Sequence, residues 1–97
     1  MLYAFLCTDK PDSLALRMET RPPHVAWLNE INAAGQLKFA GPFLDDAGQA
    51  TGSLVVVEAE TLEAAQALSA ADPYARAGLF ETVEVKAWNW VFNKPEA

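Results

Sequence analysis

The amino-acid sequence predicts an α+β sandwich of the ferredoxin-like type, in which one antiparallel sheet carries its helices on a single face. Three observations predict it. The elements follow the order β-α-β-β-α-β, which two right-handed β-α-β crossovers close into one sheet. The strand-like segments 2–9 and 53–59 are apolar on both faces, so each has to be covered on both sides. The chain has 97 residues with no short-period repeat, low-complexity tract or internal linker, which makes residues 1–97 a single domain.

In the first strand Leu2, Ala4 and Leu6 alternate with Tyr3, Phe5 and Cys7. Asp9-Lys10-Pro11-Asp12 then turns the chain, and Asp12 or Ser13 caps a short helical piece reaching Met18. Pro22 and Pro23 interrupt it. Prolines are tolerated in a first helical turn, so a second helix is expected to start there and run to Ala34, with Gly35 ending it. His24, Leu28 and Ile31 share a face of that helix. Leu37, Phe39 and Ala40 suggest the second strand, closed by Gly41-Pro42, and Asp45-Asp46-Ala47-Gly48-Gln49 reads as a hairpin loop.

The third strand runs from Ser53 to Ala59 around Leu54-Val55-Val56-Val57. Thr61 caps a helix with Leu62, Ala65 and Leu68 on one side, and Asp72-Pro73 restarts a short helical turn that Gly78 ends. A last strand is expected from about Phe80 to Phe92. In it Val83, Val85, Ala87 and Val91 point one way, and Trp88, Trp90 and Phe92 the other.

Two helices cover one side of the sheet, whereas strands one, three and four read as apolar on both. A homodimer packed through sheet faces is therefore expected. The hydrophobic content of 52% is high for so short a chain, yet no apolar run approaches the roughly 18 to 20 residues that span a bilayer. No membrane partner is expected. Cys7 stands alone, which excludes an intrachain disulfide framework, and the N-terminus opens on a strand instead of a basic signal region. Both features predict the cytoplasm. Thirteen acidic against seven basic residues, a net charge of −6, repel polyphosphate and argue against nucleic acid or anionic membrane as partner.

His24 is the only histidine, and imidazole is the side chain that trades a proton near physiological pH. Asp72, at another expected helix start, is the candidate carboxylate to orient it. The residues alone leave each with a second reading: His24 as a packed helix-start residue bonded to backbone, Asp72 as a helix cap worth about 1 kcal/mol. Arg17 and Arg21 gather before His24 and suit a small anion, or else pair with surface carboxylates such as Glu19. Ser53 and Tyr74 are candidate hydrogen-bond donors to a developing oxyanion, or a solvent-facing hydroxyl and an edge-filling ring. Gly41 and Pro42 turn the chain, and the glycine also lets a ligand approach the backbone. Trp27, Trp88 and Trp90 read as core or dimer-interface residues.

There is no glycine-rich phosphate loop, no metal-ligand spacing and no serine nucleophile elbow. Neither metal nor cofactor is expected. A thiol in an apolar strand reads as inert packing, which removes Cys7 as a nucleophile. Cofactor-free proton transfer remains.

Several motifs recur in a fixed order: Met1-Leu2-Tyr3 opening a strand, Asp12-Ser13-Leu14 followed by Arg17, Arg21-Pro22-Pro23-His24, Gly35 with Leu37, and Ala40-Gly41-Pro42. Thr51-Gly52-Ser53, Thr61-Leu62-Glu63-Ala64-Ala65, Ala71-Asp72-Pro73-Tyr74 and Val83-Glu84-Val85-Lys86 complete the set. On these residues the sequence resembles the YciI-like (YCII-related) family of the dimeric α+β barrel superfamily over nearly its whole length. The resemblance implies a dimer whose facing sheets form a barrel, and a pocket in each subunit containing His24 and Asp72. It also implies an enzyme of unassigned substrate, similar to dehydrochlorinases of chlorinated hydroxyquinols and, in wider fold, to muconolactone isomerases.

The expected function is thus His24/Asp72 acid–base chemistry of elimination, dehydrochlorination or isomerisation type on a small planar phenolic or anionic metabolite, with Arg17 and Arg21 holding its charge. A non-catalytic ligand-binding or regulatory dimer using the same pocket is the alternative. A haem-linked activity, found in some barrels of the superfamily, ranks last because this chain is shorter than those.

Overall fold

The computed structural model describes residues 1–96. Its elements are β1 (Leu2–Asp9), α1 (Leu14–Ala33), β2 (Leu37–Leu44), β3 (Ala50–Glu58), α2 (Leu62–Ala70), the single turn α3 (Pro73–Arg76) and β4 (Phe80–Trp88). The strands form one antiparallel sheet in the order β2-β3-β1-β4, the ferredoxin-like α+β sandwich expected from the sequence.

The doubly apolar segments β1 and β3 take the two central positions, where neither has a free edge. Tyr3 stands opposite Val57 and Phe5 opposite Val55. These side chains meet Trp27 and Ile31 of α1 and Ala65 of α2 in the core on the helical side. On the other face Ala4 pairs with Val56 and Leu6 with Leu54. The adjoining positions of β4 are not apolar, contrary to expectation: Glu84 lies opposite Leu6 and Lys86 opposite Ala4, and the two form an exposed ion pair of 3.0 Å. β4 is an edge strand, so its open-face side chains reach water while those of β1 and β3 lie at the centre of the sheet.

Four expected boundaries shift, the simplest being that of β3, which begins at Ala50 instead of Ser53. α1 does not break at Pro22-Pro23 but runs through both. The amides that proline lacks would have bonded the carbonyls of Met18 and Glu19, which lie on the exposed side and have water available. Arg17, His24, Trp27 and Ile31 form the buried stripe that anchors both halves, and that packing outweighs a proline penalty of roughly 3 kcal/mol. His24 consequently sits mid-helix.

Gly41-Pro42 does not end β2 but lies within it, opposite Leu54 and Ser53. β2 is also an edge strand, where a missing N–H interrupts no ladder. β4 ends at Trp88 instead of Phe92. Beyond it the chain bends across the open face, where Trp90 donates its indole N–H to the Phe92 carbonyl at 2.7 Å and packs edge-on against Phe39. Val91 and Phe92 are 71% and 82% exposed.

The expected turns and caps hold elsewhere. Asp45 Oδ1 accepts from the amides of Ala47 and Gln49, shaping the hairpin loop, and Thr61 Oγ1 accepts from the Ala64 amide to cap α2. Gly35 and Gly78 adopt positive φ just after α1 and α3. Ser13 occupies the cap position of α1 without a side-chain cap bond. At Gly52 a Cβ would lie 2.3 Å from the Cys7 carbonyl oxygen, so only glycine lets β3 approach β1 there.

Candidate active site

The buried stripe of α1 brings Arg17 and His24 to one side of the helix, two turns apart. Opposite them the chain leaves α2 and restarts at Asp72. Its Oδ1 accepts from the Tyr74 amide at 2.9 Å, so the carboxylate caps α3. The same oxygen lies 2.7 Å from His24 Nδ1. Capping and imidazole contact are therefore one arrangement, not competing ones. A carboxylate only accepts, which puts the hydrogen on Nδ1 and leaves Nε2 as an acceptor. Nε2 makes no hydrogen bond among the described residues and is not a buried unpartnered atom, so it opens on the cleft that His24 lines.

Tyr74, on the first turn of α3, stacks on the imidazole with ring centres 3.8 Å apart and planes 16° from parallel. The Arg17 guanidinium lies 4.6 Å from the centre of the same ring. One phenol ring thus contacts both side chains.

Arg17 is fully engaged elsewhere as well. Nε donates to Asp9 Oδ2 at 2.7 Å, and Nη2 donates to Asp9 Oδ1 at 3.1 Å and to Ser53 Oγ at 2.7 Å. Burial works against the Arg17 charge, but the bonded Asp9 carboxylate outweighs it and Arg17 titrates above the ordinary arginine range. Burial likewise raises the Tyr74 hydroxyl, against the opposing charges of Arg17 and Arg21. Next to this group, burial, reinforced by the Asp72 carboxylate, pushes the Cys7 thiol up to about 12. It is a protonated core residue, as an apolar-strand thiol should be.

Together these groups wall a cleft of about 370 Å³ between α1, β2 and β3. Arg17, Arg21, His24, Ser53 and Tyr74 contribute its polar surface, and Gly41 and Pro42 its β2 side. Asp72 lies behind the imidazole, 2% exposed. Arg21 is exposed and forms no ion pair among the described residues. A larger concavity of about 650 Å³ lies beside the hairpin loop, lined by Asp9, Asp12, Asp45 and Glu81. It has neither imidazole nor dyad.

Asp9 is the member that sequence reasoning missed, having been assigned to a turn. A signal existed, since Asp9 continues the inward set Tyr3, Phe5, Cys7. A carboxylate extending a buried strand face demands a cation, and Arg17 is that cation.

The YCII-related domain model matches residues 1–89. The chain belongs to the YCII-related family. Protein YciI of Escherichia coli O6:H1 is 47% identical over 98 residues, covering 95% of this chain and all of that protein. An uncharacterized protein of Haemophilus influenzae is 37% identical with the same coverage. Among solved structures, 5-chloro-2-hydroxyhydroquinone dehydrochlorinase (TftG) of Burkholderia phenoliruptrix, in complex with 2,5-dihydroxybenzoquinone, superposes with a TM-score of 0.82 at 31% identity, covering 92% of this chain and 94% of that one. Protein Atu4242 of Agrobacterium tumefaciens, 16% identical at a TM-score of 0.55 over 98% of both chains, shares the fold. Among the described residues no helix is long and apolar enough to cross a membrane.

Proposed function

We propose that this chain is a small homodimeric enzyme of the cytoplasm that performs cofactor-free acid–base chemistry of elimination, dehydrochlorination or isomerisation type on a single-ring phenolic or anionic metabolite. The observation that carries the reading is the 2.7 Å contact between His24 Nδ1 and Asp72 Oδ1, with the remaining imidazole nitrogen open to the cleft. Asp72, itself anchored by the Tyr74 amide, holds the ring in one tautomer. Nε2 takes a proton from a substrate O–H or activated C–H, and the imidazolium that forms is stabilised by the buried carboxylate. Returning that proton to carbon completes an isomerisation, and expelling a leaving group completes an elimination.

The cleft fits this use. Val25, Leu28 and Val55 supply an apolar wall for a flat ring, and Arg21, without an ion-pair partner among the described residues, stands to meet negative charge. TftG, a dehydrochlorinase seen with 2,5-dihydroxybenzoquinone, supports the substrate class by its 31% identity. The dimer reading rests on the half-buried central residues Leu2, Leu6 and Leu54, which no helix covers and which a second copy would cover.

Chlorinated hydroxyhydroquinones, followed by chloride release and ultraviolet absorption, provide the test. His24→Ala is expected to stay folded and lose roughly 10² to 10⁴-fold in turnover, the contribution of one positioned acid or base; an active variant discards the mechanism. Bound ligand without turnover by the wild-type protein would assign the cleft to ligand binding instead. Light scattering is expected to give twice the mass of one chain, and Leu54→Asp to give one.

A further inference from the structure

Ser53 carries a hydroxyl hydrogen that nothing among the described residues accepts. The residue is 3% exposed, and its Oγ lies 2.7 Å from Arg17 Nη2. A guanidinium only donates, so this bond consumes an oxygen lone pair and turns the O–H away from Arg17. Among the described residues Ser53 Oγ donates to no other group, and the residue forms part of the cleft wall. Asp9 holds the guanidinium through two bonds, which fixes the position from which Arg17 polarises the hydroxyl.

We infer that Ser53 is a hydrogen-bond donor to the ligand, and that it selects for an acceptor-only oxygen, a phenolate, enolate or quinone carbonyl, over a protonated hydroxyl. Arg17 and Asp9 are positioning residues acting through it. A free serine rotates to serve either a donor or an acceptor. Here Arg17 takes one of the two lone pairs and polarises the O–H, which makes the hydroxyl a stronger donor and a poorer acceptor, and a ligand hydroxyl offers it only the weaker bond of a neutral oxygen. Arg21, at the cleft surface, supplies non-directional attraction for charge, whereas Ser53 supplies the directional choice. The assignment rests on the reading of the cleft as a ligand site.

Two single-ring probes separate the alternatives. At neutral pH 2,5-dihydroxybenzoquinone presents ionised, acceptor-only oxygens, and hydroquinone presents neutral O–H groups on a ring of the same size. Calorimetric titration of the wild-type chain is expected to show tighter binding of the first. Ser53→Ala is expected to weaken it by about tenfold to a hundredfold, the range for a hydrogen bond to a charged acceptor, and to change hydroquinone binding by less than about threefold. Ser53→Thr keeps the hydroxyl and should keep the preference. Ser53→Cys keeps the volume but donates weakly, and should lose the preference if the alanine variant proves unstable. Equal losses for both probes, or none, overturn the donor assignment while leaving the cleft as the ligand site. Failure of the wild type to bind either probe overturns both.

Discussion

The two buried carboxylates of this chain, Asp9 and Asp72, bind the two side chains that contact one tyrosine ring, and the two pairs differ in what they leave free. Asp9 takes two hydrogen bonds from Arg17, a cation that cannot shed its charge, and nothing in that pair is left to react. Asp72 holds His24 through one bond, and its partner can shed its charge and retains a free nitrogen facing the cleft. Both carboxylates are nearly inaccessible, so burial does not distinguish them. What separates structure from chemistry is whether the partner titrates and whether it has an unused donor or acceptor.

The strongest way to break this comparison is to remove each carboxylate in turn. Asp9→Ala strands a buried guanidinium that has no neutral form to fall back on, and should cost about 3 to 5 kcal/mol in urea denaturation. Asp72→Ala should cost less, about 1 to 2 kcal/mol, because imidazole has a neutral form and only a hydrogen bond and a helix cap are lost. Equal costs would mean that both pairs are structural.

Cys7 sharpens it next, since its thiol feels both carboxylates and the Arg17 charge. The folded thiol keeps its proton up to about 12, against 9.0 for an unperturbed cysteine. Between those values only the unfolded chain loses a proton. The contribution is therefore fully present below about pH 9 and is lost as pH rises toward 12, at about 1.4 kcal/mol per pH unit. Cys7→Ala should flatten this part of the profile, measured as thermal midpoint against pH. A profile unchanged by the substitution would place the thiol in water.

The smallest expected effect belongs to Arg21, a cleft cation that forms no ion pair among the described residues. Arg21→Ala should leave stability as it is and weaken an anionic ligand by roughly threefold to tenfold, more at low salt than at high. A loss of stability like that of Asp9→Ala would show that Arg21 too is a structural cation.

Much of the site was readable in one dimension. A single histidine, an Asp-Pro helix start and two arginines ahead of the histidine are rare enough in a short chain to be picked out by residue type. The doubly apolar 2–9 and 53–59 segments located the inner strands, and Thr61 and Asp72 capped the elements they were expected to cap. Asp9 was not readable as a site residue, because a carboxylate before Lys10-Pro11 looks like turn chemistry until the strand is seen to bury it. The paired prolines misled for a related reason. Local rules break a helix at Pro22, and only the packing of Arg17, His24, Trp27 and Ile31 against the sheet shows what overrides them.

The sequence by itself determined the order of elements, the central strands and the residue types able to move a proton, since these follow from periodicity and side-chain chemistry along the chain. Tertiary structure alone decided that His24 stands mid-helix, that Tyr74 contacts both its imidazole and Arg17, and that Arg17 is spent on Asp9 and Ser53. Those outcomes depend on distances between residues 8 to 57 positions apart, and a hydrogen bond is made or lost within a few tenths of an ångström.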